Sequence, residues 1–173
     1  MKTNKSRPLI LFILLSSLIF LNCKEPLYEH DIEFDTKTFY REWKAWEAQG
    51  IVDYSVNVRG IKPESYEIFI RILVKDNVII SREDLNNPDY AVGMEMATIS
   101  ETYQSLERAY KFLSAPSPYK YQEAESIKIV YNENFHYPES MEFNVAWDPY
   151  HKRHGPSSGY LSEFIPLTSE TEE

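Results

Sequence analysis

Apolar positions recur along this chain with two periods, and the switches between them mark its elements. Phe39, Trp43 and Trp46 follow one another at i, i+4 and i+7, with Tyr40 beside them, which is one face of a helix. Lys37, Arg41, Lys44 and Glu47 occupy the rest. Asp35 or Thr36 can open this helix, because either side chain accepts from the free amides of a first turn. Gly50 can end it in the left-handed conformation. From residue 53 the period drops to two. Tyr54, Val56 and Val58 point one way, and Asp53, Ser55, Asn57 and Arg59 the other, which predicts a strand. A turn with Pro63 leads to a second strand, with Tyr66, Ile68, Ile70, Ile72 and Val74 on one face. Its other face, Glu67, Phe69, Arg71 and Leu73, is only half polar. Lys75-Asp76-Asn77 is a tight-turn signal, and residues 78–81 return as a third strand.

Residues 83–97 show no period and contain Asn86-Asn87-Pro88, so they read as a loop. Thr98-Ile99-Ser100-Glu101 is a capping box, hydroxyl first and carboxylate three later. It opens a second helix to about Leu113, with Tyr103, Leu106, Tyr110 and Leu113 on the apolar face. Pro116 and Pro118 prevent its continuation. A fourth strand is predicted over 126–131 and a turn over 132–138. Met141, Phe143, Val145 and Trp147 line a fifth strand, 148–159 is a polar loop, and 160–166 reads as a last, edge-like strand. Helix, three strands, helix, three strands, with one-sided alternation, predicts an α+β fold. It has two layers: a mainly antiparallel sheet of about six strands, with two amphipathic helices on one face. The 173 residues have room for one such domain, placed at 36–167 and followed by an acidic tail at 168–173.

The N-terminus changes the picture. Lys2, Lys5 and Arg7 precede an apolar run over 9–21. That run is shorter than the ~20 residues of a membrane-spanning helix and has the form of a secretory signal peptide. The only cysteine, Cys23, follows it at once. Phe20-Leu21-Asn22-Cys23 resembles a bacterial lipobox, where signal peptidase II cuts before a cysteine carrying diacylglycerol. Phe20 and Asn22 depart from its usual Leu and small residue, as in looser variants. The expectation is a signal peptide over 1–22, lipidation at Cys23 and a charged tether over 23–35. Lys24 rather than Asp after the cysteine implies, by resemblance to lipoprotein sorting rules, an outer-membrane destination in the cell envelope. Acylation also removes Cys23 as a nucleophile.

Charge narrows the partners. The formal net charge is −9. Without Lys2, Lys5 and Arg7, 15 basic residues face 27 acidic ones, a net of −12. Such a body is repelled by phosphate backbones and anionic headgroups, which argues against nucleic-acid binding.

The order of elements, with particular residues in it, is similar to a family of small secreted bacterial domains, domain of unknown function 6174. The resemblance covers about residues 39–166. It rests on Trp46, on Gly50-Ile51-Val52-Asp53-Tyr54-Ser55, and on Val74-Lys75-Asp76-Asn77-Val78. It continues with Thr98-Ile99, with Val130-Tyr131 followed by Tyr137-Pro138, and with Phe164. Two features depart. Residues 57–64 lack the cysteine pair of many relatives, and His136 stands where a glycine is usual before Tyr-Pro. The resemblance implies an envelope location and a compact α+β fold. It carries over no catalytic residue.

Candidate chemistry is sparse. His151-Lys152-Arg153-His154 beside Asp148 invites a metal reading, but Lys152 and Arg153 repel a cation and the bounding prolines make this a loop. His136 is a candidate general base without a nucleophile placed by sequence. Glycine-rich phosphate loops and zinc-spaced cysteine pairs are absent. No catalytic residue, metal or cofactor is therefore assigned. Aromatic residues reach 14%, with thirteen tyrosines. Tyr90, Tyr119, Tyr121, Tyr137 and Tyr150 fall in predicted loops, as a binding rim or as caps on the core. The leading reading is a lipid-anchored, non-catalytic envelope domain that binds a protein or another envelope component. The second is a small-ligand or cell-wall-fragment binder, with its cleft between the sheet and loop 83–97. A hydrolase using acidic residues or His136, His151 and His154 is third.

Overall fold

The computed structural model describes residues 27–61, 68–87, 96–117, 125–144 and 157–167. Its elements run α1 (Thr36–Gln49), β1 (Tyr54–Ile61), β2 (Ile68–Lys75), β3 (Val78–Asp84), α2 (Ile99–Ser114), β4 (Ser126–Tyr131), β5 (Pro138–Asn144) and β6 (Ser157–Pro166). The fold is the expected α+β arrangement: one antiparallel six-stranded sheet and two helices. The strand order is β3-β2-β1-β6-β5-β4.

Local chemistry explains the boundaries. Asp35 caps α1, its Oδ1 accepting from the Thr38 amide at 2.9 Å. Gly50 ends that helix at φ 63°, and its N–H donates to the Glu47 carbonyl. A Cβ at this φ would meet its own backbone, which is why glycine serves here. Thr98 and Glu101 form the capping box of α2 in both directions. Asp76 and Asn77 take φ of 51° and 60°, the two consecutive left-handed residues of a tight hairpin turn.

The core lies between the helices and one face of the sheet. Phe39 and Trp46 of α1, Tyr103 and Leu106 of α2, and Tyr54, Val56, Ile70, Ile72 and Val74 of the strands are all buried. The two helices run antiparallel. Trp46 Nε1 donates to Ser100 Oγ at 3.3 Å near one end, and Phe34 packs on Tyr110 at 4.8 Å near the other. The Tyr54 hydroxyl accepts from the Ile99 amide at 2.8 Å, so a side chain of β1 supplies the acceptor for the first turn of α2.

Three expectations are corrected. The last strand is not at an edge: β6 lies between β1 and β5. Its proline, Pro166, sits opposite Tyr54 at the very end of the pairing, where a missing N–H costs little. Next, β5 begins at Pro138 rather than Met141, while Val145 and Trp147 lie outside the described residues. Finally, the segment expected as a tether is part of the domain from Leu27 onward. Ile32 is buried, and Phe34 packs against the core. Glu33 accepts from the Ile127 amide at 3.0 Å and donates to the Glu125 carbonyl at 3.0 Å. Asp31, Glu33 and Asp35 alternate with Ile32 and Phe34, which gives this stretch the composition of a solvated tether.

Candidate functional site

The helix-covered side holds one polar cluster that could carry chemistry. Its scaffold is the turn between β4 and β5. Asn132 Oδ1 accepts from the amides of Asn134 at 3.0 Å and Phe135 at 2.8 Å, an Asx turn that folds the chain back on itself. His136 closes it at φ 58°. Position 136 therefore asks for the left-handed conformation that glycine adopts at least cost.

The His136 imidazole reaches back to α1. Its Nδ1 lies 2.7 Å from Glu42 Oε2. The other oxygen of Glu42 accepts from Arg41 Nε at 2.9 Å and Nη2 at 2.6 Å. Two further bonds fasten the same turn. Gln49 Nε2 donates to the Phe135 carbonyl at 2.8 Å, and the Tyr103 hydroxyl donates to the His136 carbonyl. Tyr131 stacks on Tyr103 with centroids 6.4 Å apart. Burial alone would raise the Glu42 carboxyl, but the hydrogen bonds and charges of Arg41 and His136 outweigh it and hold the group below its ordinary 4.5. Glu42 is thus an ionised carboxylate that is only 9% exposed.

A carboxylate orienting an imidazole is two-thirds of a catalytic triad. The missing third is the nucleophile: among the described residues, the hydrogen-bond partner of this imidazole is Glu42. The arrangement does bolt the β4–β5 turn to both helices. A depressed carboxylate contributes stability that is fully present above its unfolded value and is lost as pH falls through its folded value. Wild-type unfolding midpoints should therefore drop steeply below about pH 4.5. Those of Glu42→Gln should start lower at neutral pH and decline less in acid. Parallel curves would show that the pair contributes nothing.

The opposite face of the sheet carries no described helix. Asn57 points there from β1, yet it is 1% exposed. Its Nδ2 donates to Glu163 Oε2 at 2.8 Å, and its Oδ1 accepts from Arg71 Nε at 3.1 Å. Glu163 reaches this position from a left-handed residue, φ 49°, where the β1–β6 register shifts. Beside the network lies a depression of about 670 Å³, whose walls include Arg59, Val130, Glu139, Ser140, Tyr160 and Glu163. Tyr160 is 39% exposed and Val130 59%. The surface is mixed, with an aromatic ring, an aliphatic side chain and both signs of charge.

Of the predicted rim tyrosines, Tyr137 is the one among the described residues. It borders the depression but is 3% exposed, and its ring packs on Phe164 at 5.0 Å. Because β5 starts one residue later, the ring enters the core rather than a rim. Tyr90, Tyr119, Tyr121, Tyr150, Cys23, Asp148, His151 and His154 lie outside the described residues. Sequence reasoning found His136 but missed its partner. A signal existed: Glu42 sits three after Phe39 and four before Trp46, a carboxylate on the apolar stripe of α1. Among the described residues no group of three or more His, Cys, Asp or Glu could hold a metal, and no helix is long and apolar enough to cross a membrane. No family model, curated protein or solved structure matches the chain.

Proposed function

We propose that this protein is a lipid-anchored cell-envelope domain, of the family that its motifs resemble, which binds a protein or other envelope component without catalysis. The observation that carries the binding role is the sheet face without a described helix, with its depression of about 670 Å³. Tyr160 and Val130 offer apolar contact there, while Arg59, Glu139 and Glu163 offer charge of both signs. Tyrosine and arginine are the residue types that protein interfaces favour. The anchor rests on the lipobox-like residues that end in Cys23.

A photo-crosslinking side chain at Tyr160, in the native envelope, should give a discrete adduct. The same group at Lys44, on the solvent side of α1, should not. Equal or absent adducts at both positions would remove the sheet face as the binding surface. Turnover of a substrate by the purified domain, abolished by His136→Ala, would overturn the non-catalytic reading. A clickable fatty acid fed to cells should mark the wild type and not Cys23→Ser; label on both would end the anchor assignment.

A further inference from the structure

Two strongly exposed apolar side chains lie near the place where the N-terminal strap meets the domain. Tyr28 exchanges two backbone hydrogen bonds with Ser117, at 2.7 and 3.0 Å. Ser117 follows the end of α2 by three residues, so the N-terminal strap meets the body beside the last turn of that helix. Phe112 lies in this last turn and is 73% exposed, and Leu27 is 63% exposed. They are the two most exposed large apolar side chains among the described residues, and Tyr28 beside them is 38% exposed. Phe112 stands off the core stripe of Tyr103 and Leu106, next to the exposed Lys111. The fold gains nothing from an aromatic ring at that position.

We infer that this pole is a membrane-contact surface, with Leu27, Tyr28 and Phe112 seated in the interfacial layer of the bilayer that holds the Cys23 anchor. The inference deepens the proposed function and rests on its lipid anchor. Reach supplies the first argument. Three residues separate Leu27 from Cys23, and the four steps between them span at most ~14 Å. The interfacial layer is itself ~5–8 Å deep, so an acylated Cys23 holds this pole at the headgroups. The far pole, at Gly50 and the Asp76-Asn77 turn, lies the length of α1 away, ~21 Å for its 14 residues. Side-chain type supplies the second argument. Phenylalanine and leucine insert at the acyl boundary, and tyrosine keeps its hydroxyl among the headgroups.

Charge decides which lipid is preferred. Glu29, Asp31 and Glu33 are exposed along the strap. Among the described residues the nearby cations are Lys37 and Arg108, both exposed, and Lys111, which is paired with Glu107 at 2.8 Å. The pole is therefore not basic, and contact comes from apolar insertion into a zwitterionic surface, without attraction to anionic lipid.

The full-length lipoprotein tests this directly, because an acylated Cys23 cannot react with a thiol label. Phe112→Cys and Val78→Cys each then carry one fluorophore. Val78 is 60% exposed and lies at the far pole, since the Asn77 amide beside it bonds to the Val52 carbonyl. After reconstitution into phosphatidylcholine vesicles, quenching by nitroxide-labelled lipid should be several-fold greater at position 112 than at 78. Replacing part of the lipid with phosphatidylglycerol should leave that ratio unchanged. Equal quenching at both positions, with Cys23 shown by mass to be acylated, overturns the membrane pole and leaves the anchor standing. A protein whose Cys23 carries no lipid overturns the anchor, and the inference with it.

Discussion

Trp46→Ala is expected to destabilise the domain by ~3–5 kcal/mol, the cost of deleting a large aromatic ring from a packed core. Trp46 is 2% exposed. Its ring meets Tyr54 edge-on with centroids 5.8 Å apart and meets Phe164 at the same distance. Those partners come from β1 and β6, so the ring joins α1 to the two central strands. Domains of this kind are stable by only ~5–15 kcal/mol in total, so the loss should be plain in a urea titration. Trp46→Phe keeps an aromatic ring and loses the bond to Ser100, so it should fall between. Near-wild-type unfolding of Trp46→Ala would mean that the ring faces solvent, and a ligand-stacking role for it would reopen.

The second large effect is alkaline unfolding. Tyr54 is fully buried, and burial pushes its hydroxyl up from 10 to about 12. The Ile99 amide that it accepts works against the rise, and the charge of Glu101 adds to it. A folded value above the unfolded one means that stability is fully present below pH 10 and is lost as pH rises toward about 12. Two units correspond to roughly 3 kcal/mol at most. Burial raises Tyr103 and Tyr131 further still, so they act in the same direction. Near-ultraviolet absorbance should show the exposed tyrosines ionising first and the buried ones only as the domain opens. Tyr54→Phe should be ~1–3 kcal/mol less stable at neutral pH, because the Ile99 amide loses its acceptor. Its decline with alkali should be shallower, and an unchanged slope would exclude Tyr54 as the titrating group.

Features written in adjacent residues were legible in the sequence. Gly50, the Asp76-Asn77 turn and the Thr98–Glu101 box each act within four residues, and each forms as read. The bounds of β4 were legible for the same reason, since alternation is local. What was not legible depends on distant partners. Asn57 alternates outward like any solvated residue, yet it is buried and hydrogen-bonded to Arg71 and to Glu163, the latter 106 positions away. The Glu42–His136 pair spans 94 positions. Glu42 did betray itself on the apolar stripe, but nothing near it named histidine as the partner. The place of β6 was misread because a terminal strand holding a proline suggests an edge. Pairing is decided instead by which strand β1 has left unpaired.

That pairing sets when the molecule can fold. The centre of the sheet joins β1, near the start of the domain, to β6, whose last residue is Pro166. The β1–β2–β3 meander and the β4–β5 hairpin can form early, but neither contains the centre. Trp46 and Tyr54 also wait for Phe164, which arrives with the final strand. Contacts between such distant residues form late, because the intervening chain must be closed first. A nascent chain therefore cannot complete its core until β6 has been made. For a chain exported through a membrane pore, this order of assembly is an advantage. For the export proposed above, the polypeptide would stay threadable until β6 is made.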